Sequence, residues 1–202
     1  MATFTINATA AGDGNVYIDN GGDWATVRGA TTGTAQAASD PVNAYASQLT
    51  SRSISRIFIP FDTSGLSDNA VISDATVSIT VTDVFGSGTF HIVESTQASS
   101  TGLVNDDFNN VNFTSLGSLA ITTTGLKVIT LNATGIALIN KTGYTKLALI
   151  EDHDVTNTDP VTTDHRIGVN TSDNATEANR PLLTITYTTT SPSVSPSQSP
   201  SG

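Results

Sequence analysis

ATVSITVT, the segment at residues 75–82, is the most regular part of the sequence. Apolar side chains occupy every second position, at Ala75, Val77, Ile79 and Val81, and threonine or serine fills the positions between them. Successive side chains of a β-strand point to opposite faces, so this alternation predicts a strand with one buried face and one polar face.

Eight further short segments are rich in β-branched, aromatic and other apolar residues, and Gly, Asn, Asp and Ser separate them. These segments are 4–8, 16–18, 57–61, 90–93, 126–131, 144–150, 166–169 and 182–187. Each strand must bury its apolar face against another layer, and no long amphipathic helical pattern lies between the segments. The sequence therefore predicts an all-β fold, an antiparallel β-sandwich of jelly-roll type.

One short helix and one low-complexity segment complete the predicted organisation. The helix is expected at residues 134–140, because Ile136 and Ile139 share a helical face and Asn132 or Thr134 can cap the first turn. Residues 189–202 are rich in serine and proline, a composition that packs no core and favours extended conformations. We expect a β-sandwich module over residues 1–188 and a linker or tail over residues 189–202.

Composition and motifs exclude several classes of protein. The absence of cysteine excludes a disulfide framework, a thiolate zinc site and a cysteine nucleophile. The formal net charge is -10 with eight Lys and Arg residues, so nucleic acid is not an expected partner. No apolar run approaches the roughly 20 residues that cross a bilayer. With no nucleophile elbow, phosphate loop or dinucleotide motif, we expect a protein that is not an enzyme and does not insert into membranes.

Three segments together carry a family pattern. The first segment consists of Arg56, Phe61, Asp62, Ser64, Leu66, Ala70, Ile72 and residues 75–77. The second consists of residues 131–134, Gly143 and residues 147–150. The third is the closing segment NRPLLTITY at residues 179–187. Over about residues 5–188 the chain resembles the extracellular sandwich modules called DNRLRE domains, close to carbohydrate-binding module family 96. The resemblance implies a β-sandwich of a secreted or surface protein, with carbohydrate as the ligand class.

The most polar part of the chain runs from Glu151 to Pro160 and continues at Asp164. Carboxylate and amide oxygens at this density suit calcium, which takes six to eight oxygen ligands. The candidate ligands of a structural calcium ion are Asp152, Asp154, Asp159 and Asp164. A solvated acidic loop is the alternative. A third interpretation is a metal site with two histidines, His153 and His165, together with Asp154 or Asp164.

Sugar binding uses an aromatic ring against the apolar side of a pyranose, with polar groups on the hydroxyls. The aromatic candidates are Trp24, Tyr17, Tyr45, Phe108 and Phe113. Trp24 lies among Gly and Asp residues, which is compatible either with an exposed platform or with a core anchor.

The sequence favours a non-catalytic binding module of the carbohydrate-binding type, joined through its Ser-Pro segment to a larger secreted or surface protein. Its expected partner is a polysaccharide or a surface glycan. The alternative is a structural or display module of a virion, fibre or adhesin, which contacts neighbouring protein subunits and binds no sugar. Sequence features favouring the alternative are the start at Met1 without an export signal and the low aromatic content of 6%.

Overall fold

The alternating segment lies inside a strand of 16 residues, Ala70–Phe85. The computed structural model describes residues 1–9, 11–19, 22–48, 51–161 and 164–189. Ala75, Val77, Ile79 and Val81 are all buried, and the threonines and serine between them are more accessible, so the predicted two-faced strand is confirmed.

Twelve strands are present among the described residues, and all of their pairings are antiparallel. They are β1 (Ala2–Asn7), β2 (Gly14–Ile18), β3 (Thr34–Gln36), β4 (Val42–Gln48), β5 (Arg52–Asp62), β6 (Ala70–Phe85), β7 (Gly88–Ser95), β8 (Val111–Ile121), β9 (Gly125–Thr130), β10 (Tyr144–Glu151), β11 (Asp164–Val169) and β12 (Leu182–Thr189).

The strands form one strongly curled sheet, a half-barrel, in the order β1-β12-β6-β11-β4-β5-β10-β7-β8. Two branches leave this path: β2 pairs with both β5 and β3, and β9 pairs with β6. The prediction of a mostly β, antiparallel fold is confirmed. All nine predicted strand segments overlap observed strands, with Ala8 and Leu131 just beyond the ends of β1 and β9, whereas β3, β4 and β8 were not predicted.

Three short α-helices lie in the described part of the chain, so the prediction of one short helix was wrong in number. They are α1 (Trp24–Arg28), α2 (Ala133–Ala137) and α3 (Asp152–Thr156). The predicted helix corresponds to α2, which Asn132 caps by accepting a hydrogen bond from the Gly135 amide at 3.0 Å. None of the described helices is long and apolar enough to cross a membrane.

Two apolar clusters hold the sheet together. The larger cluster collects inward side chains from strands that are distant in the strand order, including Phe90 of β7 and Ile185 of β12. The smaller cluster surrounds Trp24, Phe58 and Phe108. Strand curvature therefore gathers most apolar alternating positions into one interior, and a second layer forms beneath α1. Residues 190–202, most of the predicted linker, lie outside the described residues.

Candidate functional site

A row of side chains crosses five neighbouring strands on one face of the sheet. Ser55 of β5 lies opposite both Tyr17 of β2 and Tyr45 of β4. Tyr45 in turn lies opposite Arg166 of β11, and Arg166 lies opposite Phe85 of β6. Residues directly opposite in a sheet share a face. Two tyrosines, a guanidinium and a phenylalanine therefore form a row of about 19 Å, at about 4.8 Å per strand spacing.

A polar groove of about 500 Å³ surrounds the two tyrosines and the arginine. Its walls carry amide side chains from Asn15, Gln36 and Asn43 and carboxylates from Asp19 and Asp164. The groove is therefore supplied with neutral hydrogen-bond donors and acceptors as well as with charged groups of both signs.

The groove exists because strand alternation places polar side chains on this face and apolar side chains on the other. In β2, Asn15 and Tyr17 line the groove and Val16 between them is fully buried. In β4, Tyr45 lines the groove between the buried Ala44 and Ala46. The small alanines let the opposite face pack closely, and the large polar side chains are left for the accessible face.

Hydrogen bonds fix the orientation of the groove side chains. The Tyr45 hydroxyl donates to Asp19 Oδ1 at 2.9 Å, and burial together with the Asp19 carboxylate raises the pKa of Tyr45 above its ordinary value. Asn15 Nδ2 donates to Ser55 Oγ at 2.8 Å, and Ser55 Oγ donates to the Asn43 carbonyl at 2.6 Å. Both tyrosine rings are half-buried, so each is held in place and still presents an accessible edge or face.

One acceptor in this groove has no hydrogen-bond partner among the described residues. Asn15 is 2% exposed, and its Oδ1 accepts no hydrogen bond within the described part of the structure. Buried polar atoms almost always find a partner, either protein or water. Asn15 Oδ1 is therefore an unusual buried acceptor in the wall of the groove.

The other three aromatic candidates do not line the groove. Trp24 begins α1 and is buried as a core anchor, and its indole nitrogen donates to Asn157 Oδ1 at 3.1 Å. Phe108 is fully buried in the same cluster. The ring of Phe113 packs under the guanidinium of Arg28, 4.0 Å from the ring centroid. Of the five predicted sugar-binding residues, Tyr17 and Tyr45 share the groove.

The four predicted calcium ligands lie in different surroundings. Three of them pair with basic side chains: Asp152 with His91, Asp154 with Arg28 and Arg56, and Asp159 with Arg52. Asp164 begins β11 and lines the polar groove. The calcium site stays a prediction.

A different group of candidate metal ligands occurs at the end of β10. Within the described ranges, one group of three or more acidic or histidine side chains has its ligand atoms within 4.8 Å of one another, and it consists of Glu151, His153 and His165. The two histidines of the predicted two-histidine metal site, His153 and His165, therefore lie together. The acidic residue beside them is Glu151, whereas Asp154 or Asp164 was predicted. The sequence does contain an indication that Glu151 is buried. It follows Leu147 and Leu149 at every second position of β10, so its side chain lies on the same buried face of the strand.

Comparison with known proteins gave no functional assignment, because no protein-family model and no curated protein matches this chain. Function is therefore inferred from the sequence and from the chemistry of the groove.

Proposed function

We propose that the chain is a non-catalytic binding module that holds polysaccharide or surface glycan in the polar groove around Tyr17 and Tyr45. One observation carries the proposal: strands far apart in sequence bring two half-buried tyrosines, three amides, two carboxylates and an arginine to one groove. Carbohydrate recognition requires this combination of ring surface and directional polar groups.

The tyrosines supply apolar surface at low entropic cost. Tyr45 is fixed by its hydrogen bond to Asp19, and Tyr17 lies across Ser55 from it. A sugar ring against either side chain would bury C–H groups, while its hydroxyls would meet the Gln36 amide and the groove carboxylates. Pre-oriented side chains favour binding because little side-chain freedom is lost when the ligand binds.

The shape of the row favours a chain-like ligand. Arg166 extends the tyrosine pair towards Phe85, whose side chain is 47% exposed and lies 5.3 Å from the guanidinium carbon. An open row across five strands can contact several successive units of a polymer, whereas an enclosed pit would suit a single small molecule. A polysaccharide is therefore the proposed partner.

The wider setting follows from the same proposal. We treat the curled sheet as a sandwich of jelly-roll type, related to the DNRLRE and family 96 modules, since one interior is shared by β7 and β12 from distant parts of the strand order. The Ser-Pro segment at residues 189–202 would be the spacer to a larger secreted or surface protein, because such sequences stay extended and polar.

The test is affinity electrophoresis of the protein through gels containing a panel of plant, microbial and cell-wall polysaccharides. We expect at least one polysaccharide to retard the protein. Tyr17→Ala should weaken that interaction at least about tenfold, equivalent to about 1.4 kcal/mol, because it removes an aromatic contact surface.

The matched control is Tyr144→Ala, which makes the same chemical change at a half-buried tyrosine that does not line the groove. It should bind like the unchanged protein. Retardation by no polysaccharide in the panel, or equal weakening by both variants, would contradict the proposal.

A structural or display module is a second candidate, favoured by apolar side chains on β9. Within the described residues β9 pairs with β6 alone, and its Leu126 and Val128 are 64% and 47% exposed. Exposed apolar side chains on one face of a strand can recruit neighbouring copies. Light scattering would support this candidate if the protein self-associates and Leu126→Lys with Val128→Lys disperses it, whereas a monomer at all concentrations would exclude it.

A further inference from the structure

Three elements bring one carboxylate and two imidazoles together away from the polar groove. Glu151 ends β10, His153 lies in α3 and His165 lies in β11. Nδ1 of His165 lies 2.9 Å from Glu151 Oε1, and Nδ1 of His153 lies 3.1 Å from each carboxylate oxygen. The two rings are 5.2 Å apart between centroids. We refer to these residues as the histidine cluster.

The carboxylate of the histidine cluster is buried. Glu151 is 1% exposed, and its ion-pair partners among the described residues are the two histidines. A buried carboxylate is costly without a counter-charge, and a divalent cation between the three side chains would supply one.

Two of the separations between the ligand atoms are close to those around a zinc ion. Zinc binds histidine nitrogen at about 2.0–2.1 Å and carboxylate oxygen at about 2.0–2.2 Å in tetrahedral geometry, which puts neighbouring ligand atoms about 3.3 Å apart. The observed separations from Glu151 Oε1 are 2.9 and 3.1 Å. Each separation would have to widen by a few tenths of an ångström to admit the ion. Both histidine side chains are about one-fifth exposed, so they can move by that much.

The surrounding chain leaves room for the ring of His165 and for a fourth ligand. A Cβ atom on Gly88 would lie 2.9 Å from His165 Cβ and 3.3 Å from its Nδ1, so the absence of a side chain at Gly88 permits this position of the imidazole. The cluster opens into a cavity of about 260 Å³ that is also lined by Thr89 and Thr122.

We propose that Glu151, His153 and His165 form a binding site for a divalent transition metal ion, with zinc as the reference ion. The ligand atoms are Glu151 Oε1 and Nδ1 of each histidine, and the fourth position faces the cavity. Two nitrogens and one carboxylate oxygen favour zinc over calcium, which takes oxygen ligands. The sequence has no cysteine, so thiolates cannot be the source of zinc affinity.

The experiment uses the full chain without any histidine tag, treated with chelator and then freed of it. Zinc is titrated by calorimetry, and cobalt is titrated in parallel by visible absorption. We expect one ion of either metal per chain and a cobalt spectrum of four-coordinate type. We also expect zinc to raise the melting temperature, because an ion that binds the folded state stabilises that state.

His153→Ala and His165→Ala should each weaken zinc binding at least about tenfold, since even loss of an outer-shell partner of a metal ligand costs about 10–100-fold. The matched control is His91→Ala, which removes a partly buried histidine bound to Asp152 and Ser115 and should leave zinc affinity unchanged. Gly88→Ala keeps all three ligands but displaces the His165 ring, and it should also weaken binding.

Circular dichroism and thermal melting without metal check that each variant folds. Equal zinc affinity in His91→Ala and His165→Ala would overturn the proposal. So would an absence of one-to-one binding by the unchanged protein at millimolar zinc, which would leave the histidine cluster as a hydrogen-bonded structural feature. Polysaccharide binding by the groove is measured separately, so failure of either proposal is distinguishable from failure of the other.

Discussion

Glu151 and Asp154 lie three residues apart at the junction of β10 and α3, and both side chains are about 1% exposed, yet their partners differ. Asp154 accepts hydrogen bonds from Arg56 Nε at 2.7 Å and Arg56 Nη2 at 2.9 Å, and Arg28 also lies within 3.4 Å. Glu151 is paired with two histidines. One acidic segment thus contains a buried carboxylate paired with two arginines and a buried carboxylate paired with two histidines.

The arginine partner of Asp154 is itself part of the core. Arg56 is fully buried, its guanidinium carbon lies 4.1 Å from the Phe108 ring centroid, and Nη1 donates to the Phe108 carbonyl at 2.5 Å. A buried charge is tolerated when it is paired and its donors are satisfied. The pair of Arg56 and Asp154 is therefore a structural connection between β5 and α3.

The largest expected effect comes from removing this connection. Arg56→Met should lower the free energy of unfolding by about 3–5 kcal/mol at pH 7, because it leaves the Asp154 carboxylate buried with Arg28 alone beside it. Urea denaturation measures the change. The double variant Arg56→Met with Asp154→Leu should recover much of the loss, and a loss below about 1 kcal/mol in the single variant would show that Asp154 is solvated.

A buried carboxylate with neither arginine nor histidine extends the comparison. Asp13 is 1% exposed, its Oδ2 accepts from the Ser172 amide at 2.6 Å, and its Oδ1 has no partner within the described residues. Burial, with a smaller contribution from Asp173, raises the pKa of Asp13 from 3.8 to about 6. The folded state thus binds a proton that the unfolded state has already released between about pH 4 and pH 6.

The second prediction follows from that sign. The stabilising contribution of protonated Asp13 is complete below about pH 4 and is lost as the pH rises through about 6. The loss is at most about 3 kcal/mol, since one pKa unit corresponds to about 1.4 kcal/mol. Urea denaturation at several pH values should show this decline in the unchanged protein and a smaller one in Asp13→Asn. Parallel pH profiles for the two proteins would contradict the assignment.

The smallest effect is expected at the most accessible pair. Arg52 and Asp159 form a bidentate ion pair whose side chains are 26% and 30% exposed. Because water and salt screen such pairs, Arg52→Ala should shift the urea midpoint far less than Arg56→Met does. If Arg52→Ala shifted the urea midpoint as much as Arg56→Met, the solvent exposure of an ion pair would not determine how much it stabilises the fold.

The parts of the fold that sequence reasoning identified depend on local alternation. β6 was predictable because its apolar residues are large and β-branched on one face, whereas β4 was missed because Ala44 and Ala46 give a weak apolar signal. α3 was missed because its residues are polar and its cap is Glu151, whose side chain accepts from the His153 amide at 2.7 Å.

The site required information that local patterns do not carry. Tyr17 and Tyr45 were both identified as aromatic candidates, but their common groove depends on the register that sets each opposite Ser55. Trp24 and Phe108 are aromatic like the two tyrosines, but both are buried. Whether an aromatic side chain reaches the surface depends on where its helix or loop lies in the fold, and residue type alone does not predict this. Likewise both histidines of the cluster were identified, and the acid between them was not.

The chain provides its own controls for the most direct test of the groove. It has four tyrosines, of which Tyr17 and Tyr45 line the groove, and Tyr144 and Tyr187 lie in β10 and β12. The measurement is nuclear magnetic resonance of tyrosine-labelled protein during titration with a polysaccharide that retards it in gels. We predict that the signals of Tyr17 and Tyr45 shift while those of Tyr144 and Tyr187 stay in place. Unmoved signals of Tyr17 and Tyr45 at saturation, or equal shifts of all four, would contradict the assignment of the groove as the binding site.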